Sequence, residues 1–211
     1  MFRFFGQNRL SRAGLACDHY HRYEEDFNLA KKLNHNAHRL SLEWARIEPQ
    51  KNEWHEEALH HYYHVLKFLK ERGFKTFVTL HHITNPIWVA DQGGWSSKKT
   101  IDDFVEYVSK VCQVLGQFVD FWVTINEPGG HALFGYMRGI WPPFKKNYLQ
   151  AFRVYKNMLS AHNRAYDMVH AYYPGAMVGC AQNIPFVEPY DRKSVMDNLT
   201  VRVSDWINIG Y

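Results

Sequence analysis

Four short runs rich in β-branched and aromatic residues, each followed by a longer segment with helical spacing, constrain this chain most. The runs are residues 37–42 (AHRLSL), 74–80 (FKTFVTL), 120–125 (DFWVTI) and 176–181 (AMVGCA). Strand–helix alternation of this kind predicts parallel strands covered by helices, an α/β fold. The strands recur every 37 to 56 residues, so the connections are long, and two of them, 81–99 and 126–146, follow the C-terminal end of a strand. Ligands of α/β sheets and barrels sit at that end. With such loops, 211 residues fall short of an eightfold barrel, which takes about 250 without insertions. A small open doubly wound sheet is compatible with the length.

The helices are read from periodicity and punctuation. Residues 55–72 place Leu59, Tyr62, Leu66 and Leu69 at steps of three and four, and Gly73 follows as a C′ residue. Residues 100–115 open on Thr-Ile-Asp-Asp, a capping-box-like start, and Gly116 closes them. Residues 147–172 form a long helix ended by Pro174-Gly175, and 18–33 form one more ahead of the first strand. Neither a linker nor a repeat divides the chain, which reads as one domain over 1–211.

Composition excludes several functions. The net charge of +4 is spread along the chain, without the basic stripe that neutralises phosphates, so no nucleic-acid partner is expected. No run approaches the ~20 apolar residues of a membrane span. The opening MFRFFGQNRLSRAG is too polar for a signal peptide. Cys17, Cys112 and Cys180 form no CxxC pair and read as buried thiols of a cytosolic, soluble protein. The aromatic content of 16% suits either a packed core or a cleft for a flat ligand.

The sharpest chemical signal is Thr124-Ile125-Asn126-Glu127-Pro128. A strand runs directly into a carboxylate, and Pro128 stops the ladder there. Glu127 is thus presented at the strand tip, with Trp122 and Phe121 expected to flank it and to favour its neutral form, as a general acid requires. Asn126 can donate to and accept from a sugar hydroxyl. His81 and His82 follow the second strand. Neighbours on extended chain face opposite ways, so only one of them enters a site, donating to a hydroxyl. That argues against a metal there. His60 and His64 are four apart on a helix, among charges that suggest a solvated surface. Arg39, inside an apolar run, needs a carboxylate partner: Glu43, Glu127 or a carboxylate of the substrate site. The loops around Gly93-Gly94-Trp95 and residues 135–143 read as anchored by their own aromatics, and Glu48 and Glu188, each before Pro, read as surface.

Four motifs occur in order: Arg39-Leu-Ser-Leu-Glu-Trp-Ala-Arg-Ile-Glu-Pro49, Thr79-Leu-His-His82, Thr124-Ile-Asn-Glu-Pro128, and Gly135-Tyr-Met-Arg-Gly139 with Pro142-Pro143. Together they resemble glycoside hydrolase family 1, the β-glucosidase and β-galactosidase family. The resemblance implies a retaining glycosidase on a (β/α)8 barrel, with no cofactor and no metal, acting on a β-linked glycoside or oligosaccharide. It matches Glu127 to the acid/base, Asn126 to the residue on the sugar 2-hydroxyl, His82 to the histidine of the −1 subsite, and Arg39 to the partner of the nucleophile. The family nucleophile lies in a Thr-Glu-Asn-Gly motif, which is absent here, and the early strand with its sugar-binding Gln also has no match. The segment 206–211 resembles the approach to a sixth strand. The chain is therefore expected to be strands two to five of a partial (β/α)8 barrel, inactive alone. The rival readings are a non-catalytic half barrel that binds sugar or a subunit, and a gene fragment. Ile83 and Gly129-Gly130 depart from the family pattern in a way that opens the aglycone side.

Overall fold

The computed structural model describes residues 14–183 and 186–208. The opening segment 1–13 and residues 209–211 lie outside them, and with them the signal-peptide reading and the end of the segment read as nearing a sixth strand. Four parallel strands form one sheet: β1 (Ala37–Ser41), β2 (Lys75–His81), β3 (Phe121–Asn126) and β4 (Met177–Ala181). Their spatial order is their chain order, β1-β2-β3-β4. A doubly wound sheet reverses direction at a switch point; this one never does, so each crossover steps the same way, as in an arc of barrel.

Four long helices belong to the same unit, α1 (His19–Lys32), α2 (Glu56–Glu71), α3 (Lys99–Leu115) and α4 (Tyr148–Tyr172), beside shorter ones such as Trp44–Ile47. All four agree with the periodic segments to within a residue or so. Alternation along the strands decides what they cover. Thr76, Val78 and Leu80 of β2 and Trp122 and Thr124 of β3 are buried against the helices. The facing positions Arg39, Phe77 and Phe121 are exposed or half-buried, and Phe77 stacks on Phe121 with ring centroids 4.2 Å apart. The core thus lies between sheet and helices. Leu66 and Leu69 of α2, Phe104, Tyr107 and Val111 of α3 and Val154 and Met158 of α4 are all fully buried in it.

Local signals hold with two exceptions. Asn147 caps α4 by accepting from the Gln150 N–H at 3.0 Å. Thr100, expected to cap α3, lies inside it instead; its hydroxyl donates to the Gly94 carbonyl at 2.7 Å and anchors the preceding loop. Gly116 takes ordinary helical φ (−59°), so its conformation is no stop. A Cβ there would lie 2.2 Å from the Tyr173 ring: the glycine makes room for that ring.

Two compact units divide the chain, one up to Ala181 and one from Gln182. In the second, α5 (Val195–Asn208) starts on a reciprocal cap. The Ser194 hydroxyl donates to Asp197 Oδ1 and accepts from the Asp197 N–H. No helix among the described residues is long and apolar enough to cross a membrane.

Candidate active site

The C-terminal tips of β1, β2 and β3 bring together the residues that the motifs single out. Arg39 and Ser41 share one face of β1 because they are two apart, and the register sets Ser41 beside Thr79. The Arg39 guanidinium donates from Nε to Thr79 Oγ1 at 2.9 Å and from Nη2 to Asn126 Oδ1 at 2.6 Å. It therefore reaches over β2 to β3, about 10 Å at normal strand spacing. His82 Nδ1 and Ser41 Oγ are 2.7 Å apart. Partial desolvation lowers the His82 pKa, the Arg39 charge lowers it further, and Glu127 pulls it back up. Both charges are thus felt at one imidazole, and His82, Arg39 and Glu127 belong to one electrostatic neighbourhood.

Glu127 is half-buried and held by its backbone. Its N–H donates to the Ala181 carbonyl at 2.7 Å, and its carbonyl accepts from the His131 N–H at 2.9 Å. A register shift between Val123 and Asn126 bends β3 just before it. Glu127 takes φ 48° and ψ 59°, and Ile83, just past His82, takes φ 74°. A β-branched residue at positive φ is a clear outlier, and such strain gathers at functional sites. Gly130 lies against the Glu127 carboxyl: a Cβ there would sit 3.2 Å from Oε2. The glycine expected to open the aglycone side also clears space for the carboxylate.

The two histidines part as strand geometry requires. His81 turns away from the site and is wholly buried, edge-on to Trp95 at 5.1 Å and to His131 at 5.9 Å. His81 Nε2 lies 3.2 Å from the Trp95 Nε1–H, which can only donate to it, and 3.1 Å from Asn85 Oδ1. The Nδ1 atoms of His81 and His131 have no hydrogen-bond partner among the described residues. Burial pushes these imidazoles down to about 3 and about 4 respectively, so both are neutral. His131 also lines a cavity of about 620 Å³ with Ile83, Thr84, Tyr136, Trp141 and Pro142. The cavity lies between the β2 and β3 loops.

Several expectations need correction. Arg39 pairs with neither Glu43 nor Glu127; among the described residues it meets the neutral Asn126 and Thr79. Glu43 is engaged by the Thr84 hydroxyl at 2.9 and 3.0 Å, which ties two loops together. Phe121 and Trp122 do not flank Glu127. They sit five and six residues earlier, some 17–20 Å along the strand. Glu48 is 2% exposed, not on the surface. It accepts from Trp44 Nε1 at 2.7 Å and the Asn52 N–H at 2.9 Å, and burial raises its pKa against those bonds. Cys17 is exposed, whereas Cys112 is buried with its thiol pushed up to about 12. Sequence reasoning missed Ser41 and Thr79, although their two-residue step from Arg39 and adjacent register were there to be used. No group of three His, Cys, Asp or Glu converges on one point among the described residues.

Comparison with known proteins agrees with this geometry. Residues 5–208 match the model of glycosyl hydrolase family 1. Beta-glucosidase A of Acetivibrio thermocellus is 34% identical over 85% of this chain and 40% of its own length. A 6-phospho-beta-galactosidase of Lacticaseibacillus casei is 33% identical over 85% of this chain and 38% of its own. The family 1 β-glucosidase of Thermotoga maritima in complex with isofagomine lactam superposes with TM-score 0.87 at 32% identity, covering 91% of this chain and 43% of that one. The chain thus spans about two fifths of the length of these relatives, and its four parallel strands are part of their barrel. It belongs to glycosyl hydrolase family 1.

Proposed function

We propose that this chain supplies the acid/base half of a retaining β-glycosidase acting on β-linked glucosides or galactosides. Glu127 protonates the leaving oxygen, and later, as carboxylate, takes a proton from the water that releases the sugar. Asn126 hydrogen-bonds the sugar 2-hydroxyl, with its orientation set by Arg39. His82 donates to a second hydroxyl of the same ring. The observation that carries this reading is the Arg39–Asn126 hydrogen bond of 2.6 Å, which draws the tips of β1 and β3 together beside Glu127. Arg39 keeps unused donors there, fitted to a second carboxylate.

Retention needs two carboxyls about 5–5.5 Å apart. The second belongs to the family's Thr-Glu-Asn-Gly motif, which these 211 residues do not contain. The chain alone therefore forms no glycosyl-enzyme. The cavity beside His131 takes the aglycone, and the small Gly129-Gly130 pair leaves its approach open. The free thiols of Cys17, Cys112 and Cys180 fit a cytosolic location. The test is nitrophenyl β-glucoside hydrolysis by the isolated chain. The expected rate is that of buffer; turnover that disappears in Glu127→Gln would overturn the half-site reading. Saturable glucose binding without turnover would favour a sugar-binding half barrel instead.

A further inference from the structure

We propose that His60 and His64 on α2 form a surface chelate for a borderline divalent transition cation such as Cu2+, Ni2+ or Zn2+. Three histidines lie close together on this helix. His61 is engaged elsewhere: its ring stacks on Tyr20 at 3.7 Å and meets Tyr23 edge-on at 5.5 Å. His60 and His64, one turn apart, are both exposed. Their Nε2 atoms are 3.1 Å apart, with ring centroids 4.2 Å apart and planes at 87°.

That separation is the span of two ligands on one ion. Metal–imidazole bonds of 2.0–2.1 Å put two nitrogens about 2.9 Å apart at a right angle and about 3.3 Å apart at the tetrahedral angle. The two nitrogens are thus at chelating distance, and binding requires the Nε2 proton to leave and both lone pairs to turn toward the ion. Tyr63 flanks the pair, parallel to His60 at 6.4 Å and edge-on to His64 at 5.5 Å, and narrows the choice of rotamers. Without metal, one Nε2–H donates to the other ring's lone pair. With metal, both rings carry their proton on Nδ1, and both Nε2 lone pairs face the ion.

No third His, Cys, Asp or Glu completes a cluster among the described residues, so water fills the remaining positions. The site is accordingly open and exchangeable. It ranks metals in the usual order, with Cu2+ tightest and the hard cations Mg2+ and Ca2+ excluded by the nitrogen donors.

The test is a titration of the 211-residue chain with Ni2+, followed by paramagnetic broadening of the histidine ring protons. The ring signals of His60 and His64 should broaden first, well before that of the exposed His35, and EDTA should restore them. His60→Gln and His64→Gln should each lose at least tenfold in affinity while keeping the wild-type melting temperature without metal. Rings of His60 and His64 that broaden no earlier than His35, or variants that bind Ni2+ like the wild type, would overturn the proposal.

Discussion

The two ends of the same strands handle polar residues in opposite ways. At the N-terminal end, Asp120 accepts from Lys70 at 2.7 Å, Lys75 at 3.0 Å and the Thr76 N–H at 2.9 Å. Burial works to raise its pKa, but these bonds overcome it and hold the carboxyl below its usual range. That cluster is closed: charges meet opposite charges. At the C-terminal end, Arg39 meets neutral oxygens, Glu127 has no cation on it among the described residues, and Ile83 and Glu127 hold strained backbone. One end is closed by ion pairs and the other is left open, which fits the division of labour of βα barrels, stability at one face and ligand sites at the other.

The largest effect that separates the two ends is acid sensitivity. His81 and His131, behind the open end, have folded pKa values of about 3 and about 4 against 6.5 unfolded. Their folded values are depressed, so the unfolded chain binds more protons. Their contribution is complete above 6.5 and drains away as pH falls toward 4 and 3. Each should cost about 2 kcal/mol between pH 7 and 5. His131→Leu should flatten that slope in urea unfolding; an unchanged slope breaks the argument. Asp120 also has a depressed folded pKa, but its contribution is complete above about 4 and is lost only below that. The slope from pH 7 to 5 therefore reads the depressed histidines, His61 among them, and only below about pH 3 does the slope read Asp120 without His81.

Next in size, Asp120→Ala should cost about 1–3 kcal/mol at pH 7, because it strands the Thr76 N–H and two lysines. Gly130→Ala should cost less, about 1 kcal/mol at most by analogy with mild overpacking. It should also shift the Glu127 carboxyl 13C resonance, since the added methyl crowds Oε2. Arg39→Met, which leaves the buried Asn126 Oδ1 and Thr79 Oγ1 without their donor, should cost about 1 kcal/mol, less than Asp120→Ala. A large loss there would make the open end structural and erase the contrast.

The sheet and helices were legible because β-branched and aromatic runs mark the strands and because α2, α3 and α4 keep a 3.6-residue rhythm. The opposed facing of His81 and His82 followed from strand geometry alone. What stayed hidden depends on distances across the fold. Arg39 pairs with a residue 87 positions away, and no local pattern announces that the partner is Asn126 rather than a carboxylate. Glu48 did have a signal: Trp44 is one helical turn before it, so an indole N–H was available to a buried carboxyl. Phe121 and Trp122 are near Glu127 in sequence but not in space, because an extended strand carries them far away. Thr100 resembled a cap, but the helix begins before it and its hydroxyl is used by the Gly94 loop.

The central claim is that Glu127 is one half of a catalytic pair whose other half lies outside these residues. The most direct measurement joins this chain to the remaining part of a family member that carries Thr-Glu-Asn-Gly. After a cooperative melt is verified, nitrophenyl β-glucoside turnover is compared with and without Glu127→Gln. The account predicts turnover in the joined protein and a loss of about 10²–10⁴-fold in the variant, the usual contribution of a positioned acid/base. A joined protein whose turnover is indifferent to Glu127→Gln would contradict it.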